Sequence, residues 1–345
     1  MKAMVNHRLS IQQLGLVLVA LLFSYASVAS STLETVKKRG YIKCGVSTGL
    51  LGFSEPNQKG IWHGFDVEFC RAVAAAVLKD KGLVKFIPLT AKERFFALQN
   101  NDVDLLARNT SWTLHRDTSL NVLFTGVSYY DGQGFLVKTS ANINKITELS
   151  NPRICFQTGT TTELNLSEYF AQIKQPFQSI PFDAKPQLVT AFEDNRCDVI
   201  SSDKAGLYSI KQSLKDPLSA HILVSVISKE PLGPVVRDND SQWFNIVKWT
   251  LFTLLNAEEN RISSENIDDL KDSSIPHIAR FLSTKDNLSE GLQLPLDWRY
   301  QIIKQVGNYG QIYERTLGYS SKLKMERGLN ALWIDGGIQY APPIR

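Results

Sequence analysis

The sequence predicts an α/β protein made of two successive units, each with a mixed sheet flanked by helices, and three observations favour this class. The chain has 345 residues, of which 43% are hydrophobic and 21% charged, so it can bury two cores. Strand-like and helix-like segments alternate from residue 41 onward. The same order of elements starts again near residue 153. This order is typical of parallel strands joined by right-handed crossovers, with a ligand crevice at the carboxyl ends of the strands.

The first unit is predicted to contain three strands and two helices. Short apolar runs bounded by polar residues predict strands at residues 41–47, 84–89 and 103–107. Apolar side chains at helical spacing predict helices at residues 65–80 and 91–101.

The second unit repeats this order of elements without a convincing repeat of the sequence itself. Strands are predicted at residues 153–157, 178–183 and 197–203, and helices at residues 159–173 and 186–196. An extended segment and a long amphipathic helix follow, and the rest of the chain is helical with Gly and Pro interruptions.

Residues 1–29 are predicted to be a cleaved secretory signal peptide. Lys2 and Arg8 precede the apolar run "LGLVLVALLF", and Ala29 ends a small-residue cleavage site. The apolar run has about ten residues, fewer than the ~20 that a membrane-spanning helix needs. An uncleaved anchor is the alternative.

The net charge gives no reason to expect a polyanionic partner. Removal of Lys2 and Arg8 with the signal peptide lowers the formal charge from +4 to +2, with 36 basic and 34 acidic residues left. The sequence has no basic stripe interleaved with aromatic residues, so nucleic acid is not expected as a partner.

Export makes the four cysteines candidates for two disulfides. Cys44 and Cys70 lie in a predicted strand and the next helix, and Cys155 and Cys197 lie in two strand-like segments. Four cysteines allow three pairings, and the pairing 44–70 with 155–197 closes two compact loops. The alternatives are a metal site and a thiol nucleophile, but the CxxC spacing is absent and the histidines are scattered.

Polar side chains follow the third strand of the first unit. Arg116 has a planar guanidinium suited to a carboxylate, and the hydroxyls of Thr110 and Ser111 lie nearby in sequence. The alternative is a surface ion pair of Arg116 with Asp117 or Asp131.

The second unit has the same feature after two of its strands. In "QTGTTTELNL", the hydroxyls of Thr160 and Thr161 and the backbone N–H groups that start the next helix could bind an anion. The alternative is a helix cap with Glu163 in a capping box. Asp203 ends the third strand and could bind an ammonium group or cap a helix. Together with Arg116, these groups describe a receptor for a zwitterion, bound between the two units.

The chain resembles the periplasmic solute-binding proteins of polar and general L-amino-acid ABC transporters. The resemblance covers nearly the whole exported chain and rests on the segments "GIWHGFDVEFCRAVAAAV", "LTAKERFFALQNNDVDLLARNTSWTLHRD", "YYDGQGFLV", "GTTTELNL", "NRCDVISSD" and "GNYGQIYERTLG".

This resemblance implies a two-lobed, hinged fold of the type II periplasmic binding class, with two crossings near residues 136–141 and 226–232. Lobe 1 is expected at residues 30–138 and 230–345, and lobe 2 at residues 139–229. The implied function is to bind a free L-amino acid in the periplasm and deliver it to an inner-membrane ABC permease. A monomer with no catalysis, cofactor or metal is expected.

The resemblance also implies roles for individual residues. Arg116 would hold the ligand α-carboxylate together with Ser111, Thr160 and Thr161, and Asp203 would bind the α-ammonium group. A further set would lie at or near the pocket wall, namely Arg108, Asn109 and Ser47.

Two positions depart from the commoner family pattern. Leu50 and Ala91 stand where many relatives place an aromatic ring or a larger apolar group against the ligand side chain. Phe53 or Trp112 could fill that space, or could pack in the core instead. Lys92 and Arg108 leave open a preference for acidic side chains or amides.

The alternative function is a periplasmic dehydratase for a prephenate-like or arogenate-like substrate on the same fold. Such an enzyme needs a general acid that faces the cleft, for which His115 and Glu163 are the nearby candidates. A sensor or structural role is a second alternative.

Overall fold

The structure is a computed structural model that describes residues 31–285 and 287–345. Thr32–Arg345 form one compact unit. The predicted signal peptide lies outside the described residues. Within those residues, none of the helices has the length and apolar character needed to cross a bilayer.

Fourteen strands and eleven α-helices are assigned in the described ranges. The strands are β1 (Ile42–Ser47), β2 (Glu55–Pro56), β3 (Trp62–His63), β4 (Val84–Leu89), β5 (Leu105–Leu106), β6 (Val122–Phe124), β7 (Tyr129–Asp131), β8 (Gln133–Lys138), β9 (Arg153–Gln157), β10 (Gln178–Phe182), β11 (Val199–Asp203), β12 (Ala220–Ile222), β13 (Glu230–Leu232) and β14 (Val235–Arg237). The helices are α1 (Thr32–Arg39), α2 (Phe65–Leu78), α3 (Arg94–Gln99), α4 (Leu114–Ser119), α5 (Thr162–Gln172), α6 (Lys185–Glu193), α7 (Lys204–Ser213), α8 (Ser241–Glu259), α9 (Pro276–Leu282), α10 (Trp298–Val306) and α11 (Tyr309–Thr316).

Two five-stranded mixed sheets organise these elements, which confirms the predicted class. The first sheet has the order β4-β1-β5-β14-β6, with β1 parallel to β4 and β5 and with β14 antiparallel to its neighbours. The second sheet has the order β10-β9-β11-β8-β12, with β9 parallel to β10 and β11. We call each sheet with its flanking helices a lobe. The parallel strands of each lobe are those that the alternating pattern predicts.

The two lobes are connected by β7 and β13, which pair with each other in antiparallel orientation and which we call the hinge strands. The first connection therefore lies before residue 133 and not at residues 136–141. The reason is that residues 133–138 pair along β11 and β12 in the second sheet. The apolar run "GQGFLVK" fits a strand of either lobe, so its pattern does not show which sheet it joins.

Both predicted disulfides are present in the predicted pairing. Cys44–Cys70 joins β1 to α2, and Cys155–Cys197 joins β9 to the segment before β11. All four cysteines are buried in the core of their own lobe. Neither bond links the two lobes, so neither restricts a movement at the hinge strands.

Candidate ligand-binding site

A cavity lies between the lobes, where the carboxyl ends of five strands from both sheets meet. The first lobe contributes Arg94 after β4 and the group Arg108, Asn109, Ser111 and Arg116 after β5. The second lobe contributes residues at the ends of β9 and β11 or shortly after β9 and β10, among them Gln157, Thr160, Thr161, Lys185, Ser202 and Asp203. The space between these side chains measures about 20 Å³, close to the volume that one water molecule needs. The lobes thus stand close together.

The structure brings together the predicted residues of both lobes, with one exception. Arg108, Asn109, Ser111, Arg116, Thr160, Thr161 and Asp203 all line this cavity. Ser47 is fully buried at the end of β1 and is not among the residues that line the cavity. There its backbone N–H donates to Ser54 Oγ at 3.0 Å.

Arg116 is held in place by the first turn of α4. Thr113 caps this helix by accepting from the Arg116 N–H at 3.3 Å, and Arg116 Nη1 donates to the carbonyl of Ser111 at 2.9 Å. The guanidinium lies 5.4 Å from the centre of the Phe95 ring, and burial lowers the pKa of Arg116. Among the described residues, Arg116 has no carboxylate within ion-pair distance, so the alternative pairs with Asp117 and Asp131 are not formed.

The threonines before α5 do not form the capping box that the sequence analysis gave as an alternative to an anion site. The Thr161 hydroxyl donates to Glu230 Oε2 on the second hinge strand at 3.0 Å and makes no cap bond to the helix. The Thr160 hydroxyl donates to the carbonyl of Gln157 at 2.7 Å and accepts from the Thr162 N–H. These bonds hold both hydroxyls at the cavity, while Glu163 is exposed.

Asp203 does not cap the helix that follows it. The carboxylate of Asp131, on the first hinge strand, accepts from the Ala205 N–H at 3.0 Å and takes that place. Asp203 Oδ2 instead accepts from Asn109 Nδ2 of the opposite lobe at 3.4 Å. Burial, together with the nearby charge of Glu230, raises the pKa of Asp203 to about 6.

Two cations of the cavity were missed by the sequence analysis. Arg94 is 2% exposed, its Nη2 donates to the carbonyl of Gly159 in the other lobe at 3.3 Å, and its Nε has no hydrogen-bond partner among the described residues. Lys185 is the first residue of α6, and burial lowers its pKa to about 7. Both lie within five residues of the end of a strand, so the rule that identified Arg116 would have found them if it had been applied after β4 and β10.

The cavity therefore holds more cations than are neutralised locally. Arg94, Arg108, Arg116 and Lys185 form no ion pair within 4.0 Å of a described carboxylate. Three of these four side chains are arginines that are less than 10% exposed. Buried charge without a partner is costly, so this arrangement favours an anionic group in the cavity.

Asp66, at the start of α2, is a buried acid beside the cavity. Its Oδ2 accepts from the Asn109 N–H at 2.9 Å, and burial raises its pKa to about 7. Arg108 and Lys185 oppose this rise.

The raised pKa of Asp66 predicts a pH dependence of stability. A proton binds more tightly to Asp66 in the folded state, so this contribution to stability is fully present below pH 3.8 and is lost as pH rises through about 7. We expect Asp66→Asn to reduce the fall in the free energy of unfolding of the ligand-free protein between pH 4 and pH 8 by roughly 3 kcal/mol. Denaturant unfolding at both pH values measures this change. The exposed variant Asp102→Asn is the control, and the same pH dependence in all three proteins would contradict the assignment.

The residues considered for an apolar clamp pack elsewhere. Phe53 is 1% exposed and packs edge-on against Phe65 and Tyr129, and Trp112 stacks on Phe124 at 5.5 Å. Lys92 forms an exposed ion pair with Asp183 of the other lobe at 2.6 Å. The cavity is lined by polar side chains and by Gly206, and Lys92 lies outside that lining.

A cleft between two α/β lobes that are joined by two hinge strands defines a two-lobed binding protein of the type II periplasmic class. The chain belongs to the bacterial extracellular solute-binding proteins, family 3, whose pattern matches residues 42–318.

Several relatives match over almost their full length. The General L-amino acid-binding periplasmic protein AapJ of Rhizobium johnstonii is 51% identical over 93% of this chain and 95% of its own. The Glutamate/glutamine/aspartate/asparagine-binding protein BztA of Rhodobacter capsulatus is 42% identical over 95% of this chain and 97% of its own. A solved structure of an ABC transporter/periplasmic binding protein from Brucella ovis, with glutathione bound, is 48% identical. It covers 92% of this chain and all of its own, with a TM-score of 0.90.

Proposed function

We propose that the chain binds L-amino acids in the periplasm and delivers them to an ABC transporter permease, without catalysis. The observation that carries this proposal is the cavity between the lobes, where Arg116 and Asp203 present opposite charges from opposite sides. The names of AapJ and BztA support amino acids as the ligand class. The proposed lobes divide near residues 132 and 229, so that each hinge strand lies at a boundary.

The two charged ends of an amino acid match two groups of the cavity. Arg116 can bind the α-carboxylate with a free part of its guanidinium, since only one of its N–H groups donates to Ser111. The hydroxyls of Thr160 and Thr161 lie opposite, at the start of α5. Asp203 can bind the α-ammonium group from the second lobe. A ligand held in this way contacts both lobes and therefore stabilises the closed form.

The remaining cations favour ligands with an additional carboxylate or an amide. After Arg116 binds the α-carboxylate, Arg94, Arg108 and Lys185 still lack an anionic partner. A side-chain carboxylate would neutralise part of this charge, and a side-chain amide would accept hydrogen bonds from it. Glutathione, which is bound in the Brucella ovis relative, has two carboxylates and one ammonium group, in agreement with this charge pattern. We expect acidic amino acids and their amides to bind best.

The geometry does not favour the dehydratase alternative. His115 and Glu163, the two general-acid candidates, are both exposed and do not line the cavity. The proposal therefore assigns no step of bond breaking to this site.

The function is tested by calorimetry with protein that has been unfolded and refolded to remove any carried-over ligand. Each of the twenty amino acids is titrated separately, and glutamate, aspartate, glutamine and asparagine are expected to give the strongest binding. The same sample is incubated with prephenate and with arogenate, which should remain unchanged. Absence of binding to every amino acid, or turnover of either compound, would overturn the proposal.

A further inference from the structure

The first hinge strand, β7, is held at its outer edge by a residue of the C-terminal segment. Asn330 Oδ1 accepts from the Tyr130 N–H at 2.6 Å, and Asn330 Nδ2 donates to the Tyr130 carbonyl at 3.0 Å. Asn330 is 3% exposed. On the opposite edge, Tyr130 faces Pro231 of β13, which has no N–H to donate. The side-chain amide of Asn330 thus bonds to both backbone polar groups of Tyr130, as a neighbouring strand would.

Asn330 is itself fixed to the first lobe. Arg327 donates to the Asn330 carbonyl from Nε at 3.2 Å and from Nη2 at 2.9 Å, and Arg327 is ion-paired with Glu258 of α8. Ser128, the residue before the first hinge strand, is held as well, because the hydroxyl of Tyr309 donates to its carbonyl at 2.8 Å. The hinge strand therefore belongs to the first lobe up to Tyr130.

Beyond Tyr130 the contacts change to the second lobe. Asp131 accepts from the Ala205 N–H, and the Gly132 carbonyl accepts from the Lys204 N–H at 2.8 Å. A Cβ atom at Gly132 would lie 2.3 Å from Val226 Cγ1. A change from one lobe to the other within two residues leaves a short pivot at Asp131 and Gly132.

We propose that Asn330 is a positioning residue for ligand binding, which fixes Tyr130 to the first lobe and so confines lobe opening to the short pivot at Asp131 and Gly132. This inference rests on the proposed function in so far as a ligand closes the lobes. Confinement matters for the site because Glu230, opposite Asp131 in the hinge pair, orients Thr161. A hinge strand free to move would present these groups in many arrangements, and ligand binding would have to restore one of them.

The variant Asn330→Ala tests this role in the ligand-free protein. Labels are attached through unnatural amino acids at the exposed positions Lys59 and Glu168, one on each lobe, and their distance distribution is measured by pulsed electron resonance. We expect a broader distribution for Asn330→Ala than for the wild type. We also expect its affinity for L-glutamate to fall about tenfold, because preorganisation is lost.

Asn256→Ala is a matched control. Asn256 is 7% exposed, and its side chain donates to the carbonyls of Phe252 and Pro342, so the variant also removes two buried hydrogen bonds from the same lobe. Neither of these two hydrogen bonds involves a hinge residue, so both the distance distribution and the affinity should match the wild type. Equal broadening in the two variants would show general destabilisation and would overturn the proposal, as would a wild-type distribution in Asn330→Ala.

Amide hydrogen exchange in the wild type gives a second test, which does not depend on the folding of a variant. The Tyr130 amide should be protected to the same degree with and without L-glutamate, since its bond to Asn330 lies within one lobe. Protection that appears only with the ligand would contradict the inference. If no amino acid closes the wild-type lobes, the proposed function fails. If closure occurs but Asn330→Ala behaves as the wild type, only the hinge proposal fails.

Discussion

Arg116→Ala is expected to abolish measurable binding of amino acids, with a loss of about 3 kcal/mol or more. Arg116 is 8% exposed and is the cation that we assign to the α-carboxylate, which every amino acid carries. Without its guanidinium, the carboxylate would enter the closed cleft with one fewer charged donor, and the loss would be similar for all ligands. Calorimetric titration with L-glutamate and L-glutamine measures the effect.

The control for this variant is Arg153→Ala in the second lobe. Arg153 pairs with Asp198 at 2.7 Å, and both side chains are more than a third exposed, so its loss should not change the affinity. A loss confined to ligands with acidic side chains would assign Arg116 to the side chain instead. An unchanged affinity would remove Arg116 from the site.

Asp203→Ala is expected to have an effect of similar size for a different reason. The α-ammonium group of the ligand would be buried without an anionic partner, in a cavity where Arg94, Arg108 and Arg116 already supply positive charge. Asp203→Asn should bind almost as weakly, because an amide keeps the shape of the side chain but not its charge. Each variant is titrated at pH 8, where Asp203 of the wild type is ionised.

The exposed variant Asp194→Ala serves as the control and should bind as the wild type does. Loss of binding in Asp203→Ala with full binding in Asp203→Asn would show that shape, and not charge, matters at this position. Such a result would contradict the assignment of Asp203 to the α-ammonium group.

The sequence predicted the lobes and much of the cavity because both follow from local patterns. Apolar runs of strand length alternate with helical spacing, and hydroxyl or charged residues stand at the ends of strands β5, β9 and β11 or shortly after them. The carboxyl ends of parallel strands share one edge of a sheet, so these residues meet without any knowledge of the tertiary contacts.

The remaining features depend on contacts between distant segments. Glu230 is 1% exposed and bonds to Thr161, Asn165 and Ser228, but its sequence surroundings, "SKEPLG", are those of an ordinary loop. Asp66 lies on a helix whose other residues are largely core, so nothing local marks it as a group of the site. Asn330 reaches Tyr130 across 200 positions of the chain.

Ser47 is the predicted residue that does not line the cavity. The family resemblance placed it in the ligand-binding set, but it ends β1, an interior strand of the first sheet, and its backbone N–H bonds to Ser54. The end of a strand therefore indicates the correct edge of the sheet but not whether the side chain reaches the ligand. That outcome depends on the loops that pack over it.

Small-angle X-ray scattering of the ligand-stripped protein, with and without L-glutamate, tests whether one amino acid bridges the two lobes. The radius of gyration should fall when L-glutamate is added to the wild type. It should not fall in Arg116→Ala or Asp203→Ala at the same ligand concentration. A radius of gyration that stays constant in the wild type, while calorimetry shows that glutamate is bound, would show that the ligand does not bridge the lobes.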